Sequence, residues 1–301
     1  MTPEDPPRPW LPVAAVALTL VLWASAFVAI RHVGHDFSPG ALSLGRLLVG
    51  AVALGAVALS RGLPRPGRRD WVGLVTIGVL WFGVYNVSLN AGERRVDAGT
   101  AAMLIQISPV LIALLATLFL GERFTTWLAL GLALAFAGVV LISLSQPGGH
   151  SDLLGVALCL LAALVYSISL VVQKPLVARL SAVHVTWLAC TIGAVACLPF
   201  AGSLVHDTAH ASTSDIWWVV YLGVFPTAIA FTTYAFALRH MTASSLGITT
   251  YLVPPLTIVM GWMFLGEVPP VMAYAGGALA LVGVAVSRRK PRTRSVVPHP
   301  A

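Results

Sequence analysis

The sequence predicts an all-α integral membrane protein: ten transmembrane helices arranged as two inverted-topology repeats of five. Three observations predict it. Of 301 residues, 58 % are hydrophobic and only 10 % are charged, where a soluble domain carries roughly a quarter. Ten apolar runs, each near the length that crosses the hydrocarbon core, follow one another with short polar breaks. The second half of the chain also repeats the first. Residues 71–142 lie over 216–287 without a gap, at an offset of 145 and with seventeen identities, against roughly seven expected from a composition rich in Ala, Leu, Val and Gly. Such a chain cannot cover a water-facing surface of its own size, which excludes a soluble enzyme, a nucleic-acid reader and a disordered polypeptide.

The runs are Leu11–Ile30, Ala41–Leu59, Trp71–Leu89, Ala98–Leu120, Thr126–Leu144, Leu153–Val172, His184–Gly202, Ile216–Leu238, Ala243–Leu265 and Val271–Ser287. They are continuous and about twice the length of a barrel strand, so helices are expected and not a β-barrel. The first run follows Arg8 and contains Ala24-Ser25-Ala26, features of a signal peptide. Its length marks it as a span, and the first repeat needs it. It carries Trp23 and Ser25, candidate solute contacts. The second run holds Arg46, the one charge well inside a span. A charge there faces a wet interior, as a contact for a solute carboxylate or phosphate, or else it snorkels or ties two helices together.

The third run places Trp81, Tyr85 and Ser88 on one helical face and Asn86 and Asn90 on another. In the fourth and ninth runs Pro109 and Pro254 are repeat equivalents, and each removes a backbone hydrogen bond. They are expected to bend their helices beside a cavity. Gln106 lies one turn before Pro109 with Tyr251 as its equivalent. Thr249 and Thr250 complete a polar patch that binds solute or bonds helix to helix. Tyr166 and Ser169 in the sixth run, and Thr227, Thr232, Thr233 and Tyr234 in the eighth, are further candidates, because hydroxyls in an apolar bundle carry a cost. Glu122 and Glu267 follow Gly121 and Gly266. They are expected to sit by the next helix start, or to take part in gating.

Ten spans put both termini on one side. If that side is cytoplasmic, it holds fourteen of the eighteen Lys and Arg residues. Arg31, Arg94 and Arg95 lie opposite and Arg46 lies within a span, a strong positive-inside bias. The net charge of +7 therefore sets orientation and meets anionic lipid headgroups, not nucleic acid. Trp10, Trp71, Trp127, Trp217 and Trp218 fall at span ends, where indoles prefer to lie. The domain plan is a cytoplasmic tail 1–10, a first repeat 11–144, a linker 145–152, a second repeat 153–287 and a basic cytoplasmic tail 288–301.

Five helices per half is an odd number, so the second half enters the membrane upside down. Many secondary transporters are built this way. Phe119-Leu120-Gly121-Glu122 matches Phe264-Leu265-Gly266-Glu267, Gly131 and Gly138 match Gly276 and Gly283, and Gly50-Ala51-Val52 matches Gly193-Ala194-Val195 at an offset of 143. Together with Leu22-Trp23-Ala24-Ser25-Ala26-Phe27 and Arg46-Leu47-Leu48, these marks make the chain resemble the EamA-like family of the drug/metabolite transporter superfamily. The resemblance implies a plasma-membrane carrier of small metabolites, often amino acids or their derivatives, frequently outward.

Cys159, Cys190 and Cys197 lie in apolar runs without zinc or disulfide spacing. There is no phosphate loop and no His-Glu-x-x-His site, so no catalytic residue, metal or cofactor is assigned. No Asp or Glu falls mid-span, which favours a uniporter, or coupling through an end-of-helix group, over a carboxylate relay. His184 sits at a span edge. The partners expected are a small-molecule solute and the bilayer. The small-residue pairs Ala51/Gly55 and Gly276/Ala280 allow close helix packing, within one chain or between two copies as a homodimer. A membrane-embedded enzyme or lipid-handling protein is the alternative reading. It would need a nucleophile–base pair or a His/Asp cluster at one depth, and the sequence offers neither. A receptor is a third reading, which the short loops disfavour.

Overall fold

The structure, a computed structural model, describes residues 10–34, 36–63, 65–95, 104–144, 152–265 and 271–289. The expected N-terminal tail before Trp10, the first residues of the fourth run, nearly all of the 145–152 linker, Gly266-Glu267 and the basic tail from Lys290 lie outside these residues.

Among the described residues, ten helical stretches follow the ten apolar runs. They are α1 (Trp10–Val33), α2 (Pro39–Ser60), α3 (68–93), α4 (Ser108–Leu120), α5 (Thr126–Leu144), α6 (Leu153–Arg179), α7 (Ala182–Ala196), α8 (213–240), α9 (243–265) and α10 (Val271–Ser287). Five of the described stretches are long and apolar enough to cross a membrane: Pro39–Ser60, Arg68–Gly92, Leu153–Arg179, Thr213–His240 and Ala243–Met260. The seventh run departs from a single span. After α7 the chain makes a tight turn at Leu198–Phe200 and continues as Ala201–His210, bent by 53°. Pro199 cannot donate the hydrogen bond that would carry the helix through. The sixth helix is longer than its apolar run, because it continues past Pro175 to Arg179 and carries Lys174 to one face of the bundle.

The helix starts follow the repeat. Ser38 and Ser181, 143 residues apart, both precede a helix in extended backbone. In the first turns of α3 and α8, 145 residues apart, Asp70 accepts from the backbone N–H of Gly67 at 3.0 Å and Asp215 from that of Ser212 at 3.2 Å. Each carboxylate satisfies an orphan donor and favours the helix dipole. Gly121 ends α4 in the left-handed region at φ 66°, which costs glycine nothing.

Both α3 and α8 change to π-helix at their middles, over Gly78–Tyr85 and Gly223–Ile229. Gly78 and Gly223 are repeat mates, and each is a point of close approach. A Cβ on Gly78 would lie 2.7 Å from the Cβ of Ile192 in α7, and one on Gly223 would lie 2.5 Å from the Cβ of Val49 in α2. So α7 packs on the widened turn of α3, and α2 packs on that of α8.

The other contacts obey the same exchange. The α6 helix packs on α3 and α4, while α1 packs on α8 and α9. The α5–α10 pair meets itself, with a Cβ on Gly131 falling 2.7 Å from Gly283 O and one on Gly138 falling 2.5 Å from Gly276 O. Swapping 131 with 276 and 138 with 283 returns the same two contacts, which is the signature of a two-fold relation. Gly276, Ala280 and Gly55, read as helix-packing positions, meet Gly138, Gly138 and Trp187 of the same chain.

Candidate functional site

Where the two repeats meet, the middles of α1, α3, α6 and α8 contribute aromatic side chains to one cluster. Trp81 is 1 % exposed and Tyr234 fully buried. Trp81 meets Tyr166, Phe231 and Tyr234 with ring centroids 5.0, 5.1 and 6.1 Å apart. Trp23 packs on Tyr234 at 4.8 Å and on Phe231 at 5.4 Å, and Phe82 on Phe231 at 4.6 Å. Trp23 and Tyr166 stand 143 residues apart, the register of the first two helices of each repeat, so one symmetric position supplies an aromatic from each half. Each pair is worth about 0.5–1.5 kcal/mol beyond its area.

Polar groups thread this apolar wall. The Tyr166 and Tyr234 hydroxyls share a hydrogen bond of 2.8 Å, and Thr250 lies against the Tyr166 hydroxyl. The Gln106 amide donates to the carbonyl of Thr250 at 3.1 Å, which joins α4 to α9 across the repeat boundary. Pro109 and Pro254 are each the second residue of their α-helical segment. A turn at 106–107 precedes one and a 3-10 stretch, Ile248–Leu252, precedes the other.

Arg46 reaches the interior. It lies seven residues past Pro39, about 10 Å along α2 at 1.5 Å per residue, and is 7 % exposed. Its Nε–H donates to Thr227 Oγ1 at 3.0 Å. Thr227 in turn donates to Leu222 O at 2.8 Å, a carbonyl that Pro226 cannot serve as an i→i+4 donor. Tyr85, on α3, lies within electrostatic reach of the guanidinium and 6.0 Å from the Tyr166 ring. Arg46 is thus joined to the aromatic cluster and does not snorkel to an interface.

Not every candidate gathers here. The Tyr251 ring packs with Phe136, Ala113, Leu132 and Val284 between α4, α5 and α10, and its hydroxyl has no partner among the described residues. Asn86 turns its amide back to Phe82 O at 2.9 Å and Trp81 O at 3.2 Å, inside the π-helical stretch of its own helix. Ser25 bonds Tyr221 at 2.7 Å, and that ring packs with Trp218 and Phe225 outside the cluster. Phe82 and Phe231 also belong to the wall. Phe231 lies three residues before Tyr234, the spacing that shares a helix face.

Each face of the bundle carries its own latches. On the face where α1 starts and α10 ends, the terminal face, Arg179 bonds Asp70 at 2.9 and 2.5 Å. There Lys174 donates to Leu238 O and Met241 O at the end of α8. Glu122 accepts from the backbone N–H groups of Ala243 and Ser244 and from the Ser244 hydroxyl. Glu122 therefore caps α9 of the other repeat, not the next helix α5 as its sequence position suggests. On the opposite face Asp215 lies 3.6 Å from His32. Arg94 donates to Gly34 O and Phe37 O beside a cavity of about 150 Å³ lined by Ile30, Pro39, Leu42 and Asn90. There too Arg95 bonds Asp152 and holds its carboxyl below the usual carboxylate range. Among the described residues no three His, Cys, Asp or Glu side chains gather as a metal site.

Helices crossing in alternating directions, two repeats exchanged by a two-fold relation and a polar–aromatic centre between them define a multi-pass membrane protein of the transporter class. The chain belongs to the EamA-like transporter family, whose profile matches residues 10–144 and again 153–289. It is 41 % identical over 280 residues (92 % of this chain and 93 % of the relative) to a probable terminal-alkyne amino-acid exporter of Streptantibioticus cattleyicolor. It is 32 % identical over 270 residues (89 % and 88 %) to an uncharacterized transporter, YdfC, of Bacillus subtilis. A protein of known crystal structure shares the fold with a TM-score of 0.75, at 22 % identity over 92 % of this chain and 96 % of that one.

Proposed function

We propose that this transporter exports an amino acid or a closely related small amphipathic metabolite across the plasma membrane, by alternating access between its two inverted repeats. The observation that carries the reading is the reciprocity of the contacts between the repeats: α2 on α8 mirrors α7 on α3, and α5 on α10 mirrors itself. Two halves related this way exchange shapes at no net cost in contact types, and the exchange moves the opening from one face to the other. The latches fit the scheme. Asp70–Arg179 joins α3 to α6 at the terminal face, and Asp215–His32 joins the equivalent helices α8 and α1 at the opposite face. The aromatic wall suits the apolar part of a solute, and the Tyr, Thr and Gln groups suit its polar part. The name of the S. cattleyicolor relative supports an amino-acid solute and outward flow. The charge count supports an orientation with both termini in the cytoplasm.

Reconstitution in liposomes tests the proposal. Vesicles preloaded with single amino acids, those with terminal-alkyne side chains among them, should lose at least one of them faster than protein-free vesicles. Trp81→Ala, which opens the wall, should reduce that flux by an order of magnitude or more. Equal leakage with and without protein across the whole panel would refute transport of this class.

A further inference from the structure

We infer that Arg46 is the counter-charge for a carboxylate on the transported solute, held ready by Thr227; the inference rests on the transport reading above. Arg46 is the only buried lysine or arginine among the described residues. A guanidinium stays protonated at any physiological pH, and an uncompensated charge at this depth is costly. No described carboxylate meets it. Asp70 is bound to Arg179, Asp152 to Arg95, Asp207 to Ser38, Asp215 to Ser212 and His32, and Glu122 to the start of α9, while Asp36 is exposed at the opposite face. Of the five N–H donors of the group, Nε–H alone has a hydrogen-bond partner among the described residues, Thr227 Oγ1. The Thr227 hydroxyl already donates to Leu222 O, so only its lone pair serves Arg46. That chain fixes the plane of the guanidinium and leaves the paired Nη groups, the fork that grips a carboxylate with two parallel bonds.

The surroundings select the ligand. One buried cation balances one negative charge, which suits a carboxylate and leaves a phosphate dianion half compensated. Tyr85 leads from Arg46 to Tyr166 and the aromatic wall, where the apolar remainder of the same molecule fits. The solute is therefore a monocarboxylate with a short apolar side chain. The competing reading is a plain tie between α2 and α8.

The test uses the full chain in nanodiscs with two probe pairs, L-propargylglycine against its carboxamide and pentanoate against pentanamide. Binding is read by intrinsic tryptophan fluorescence and by the unfolding midpoint. In the wild type each carboxylate should bind at least about tenfold more tightly than its amide, as expected when a charge-assisted bond is lost. In Arg46→Gln the ratio should fall to near one, and Arg46→Lys should keep part of it. A wild type that shows no preference for carboxylates, including one that binds no probe, overturns the inference. So does a folded Arg46→Gln that keeps the wild-type ratio, the result a plain helix tie predicts. Arg46-dependent binding without flux in liposomes refutes the transport reading alone. Equal flux of a solute lacking a carboxylate through wild type and Arg46→Gln refutes the inference alone.

Discussion

The Tyr166–Tyr234 hydroxyl pair sits in surroundings where each group has few substitutes. Both side chains are buried, so a hydroxyl deprived of its partner loses a hydrogen bond that water cannot replace. Tyr234→Phe should cost about 1–3 kcal/mol of stability, read as a lower unfolding midpoint of the purified protein. Tyr166→Phe should cost a similar amount, since it strands the Tyr234 hydroxyl. The double variant should lose less than the sum, because removing both partners leaves nothing stranded; strict additivity would show that the two hydroxyls act independently. Much of this chemistry was legible in the sequence, and for one reason: in an apolar run a polar or charged side chain stands out against its neighbours. Arg46, Trp81, Tyr166, Tyr234, Gln106 and Thr250 all fall at the centre. Tyr251 stood out equally and packs elsewhere. The face a helical residue shows depends on the local twist, and the 3-10 stretch at Ile248–Leu252 turns faster than the α-helix assumed in reading it.

At the level of elements, the π-helical middles of α3 and α8 escaped the sequence because the shift from i→i+4 to i→i+5 bonding has no compositional mark. Their positions were nonetheless written in the repeat, with Gly78 over Gly223 and the Asp70 and Asp215 caps one turn into each helix. A capping acid in the first turn was a readable signal that the apolar periodicity drowned. The bend after α7 was announced by Pro199 and hidden inside a long hydrophobic run. Where helices touch through glycine, the sequence and structure agree most closely, because backbone-to-backbone approach tolerates nothing larger. Gly138→Val and Gly276→Val should each destabilise the α5–α10 pair by about 1–3 kcal/mol through overpacking. As repeat-related members of one contact, they should do so to a similar extent. Gly202→Ala, within the Ala201–His210 helix and where a Cβ meets nothing within 4 Å, should hold or raise the unfolding midpoint. A Gly276→Val protein as stable as the wild type would mean that α5 and α10 do not pack as described.

For the whole molecule, the two-fold exchange makes the latches the natural place for asymmetry. Asp70–Arg179 joins two charges fixed at physiological pH, whereas the equivalent Asp215–His32 contact is an ion pair only when His32 is protonated. Removing one latch should favour opening on its own face. In Asp70→Asn, spin labels on Arg69 and Ala178 at the terminal face should move apart, while labels on Asp36 and Trp217 at the opposite face stay close. In Asp215→Asn the pattern should reverse. Both substitutions should slow net flux, because a carrier biased to one shape spends less time completing its cycle. Were both label pairs to lengthen together in either variant, the halves would be loosening as one body and not exchanging places.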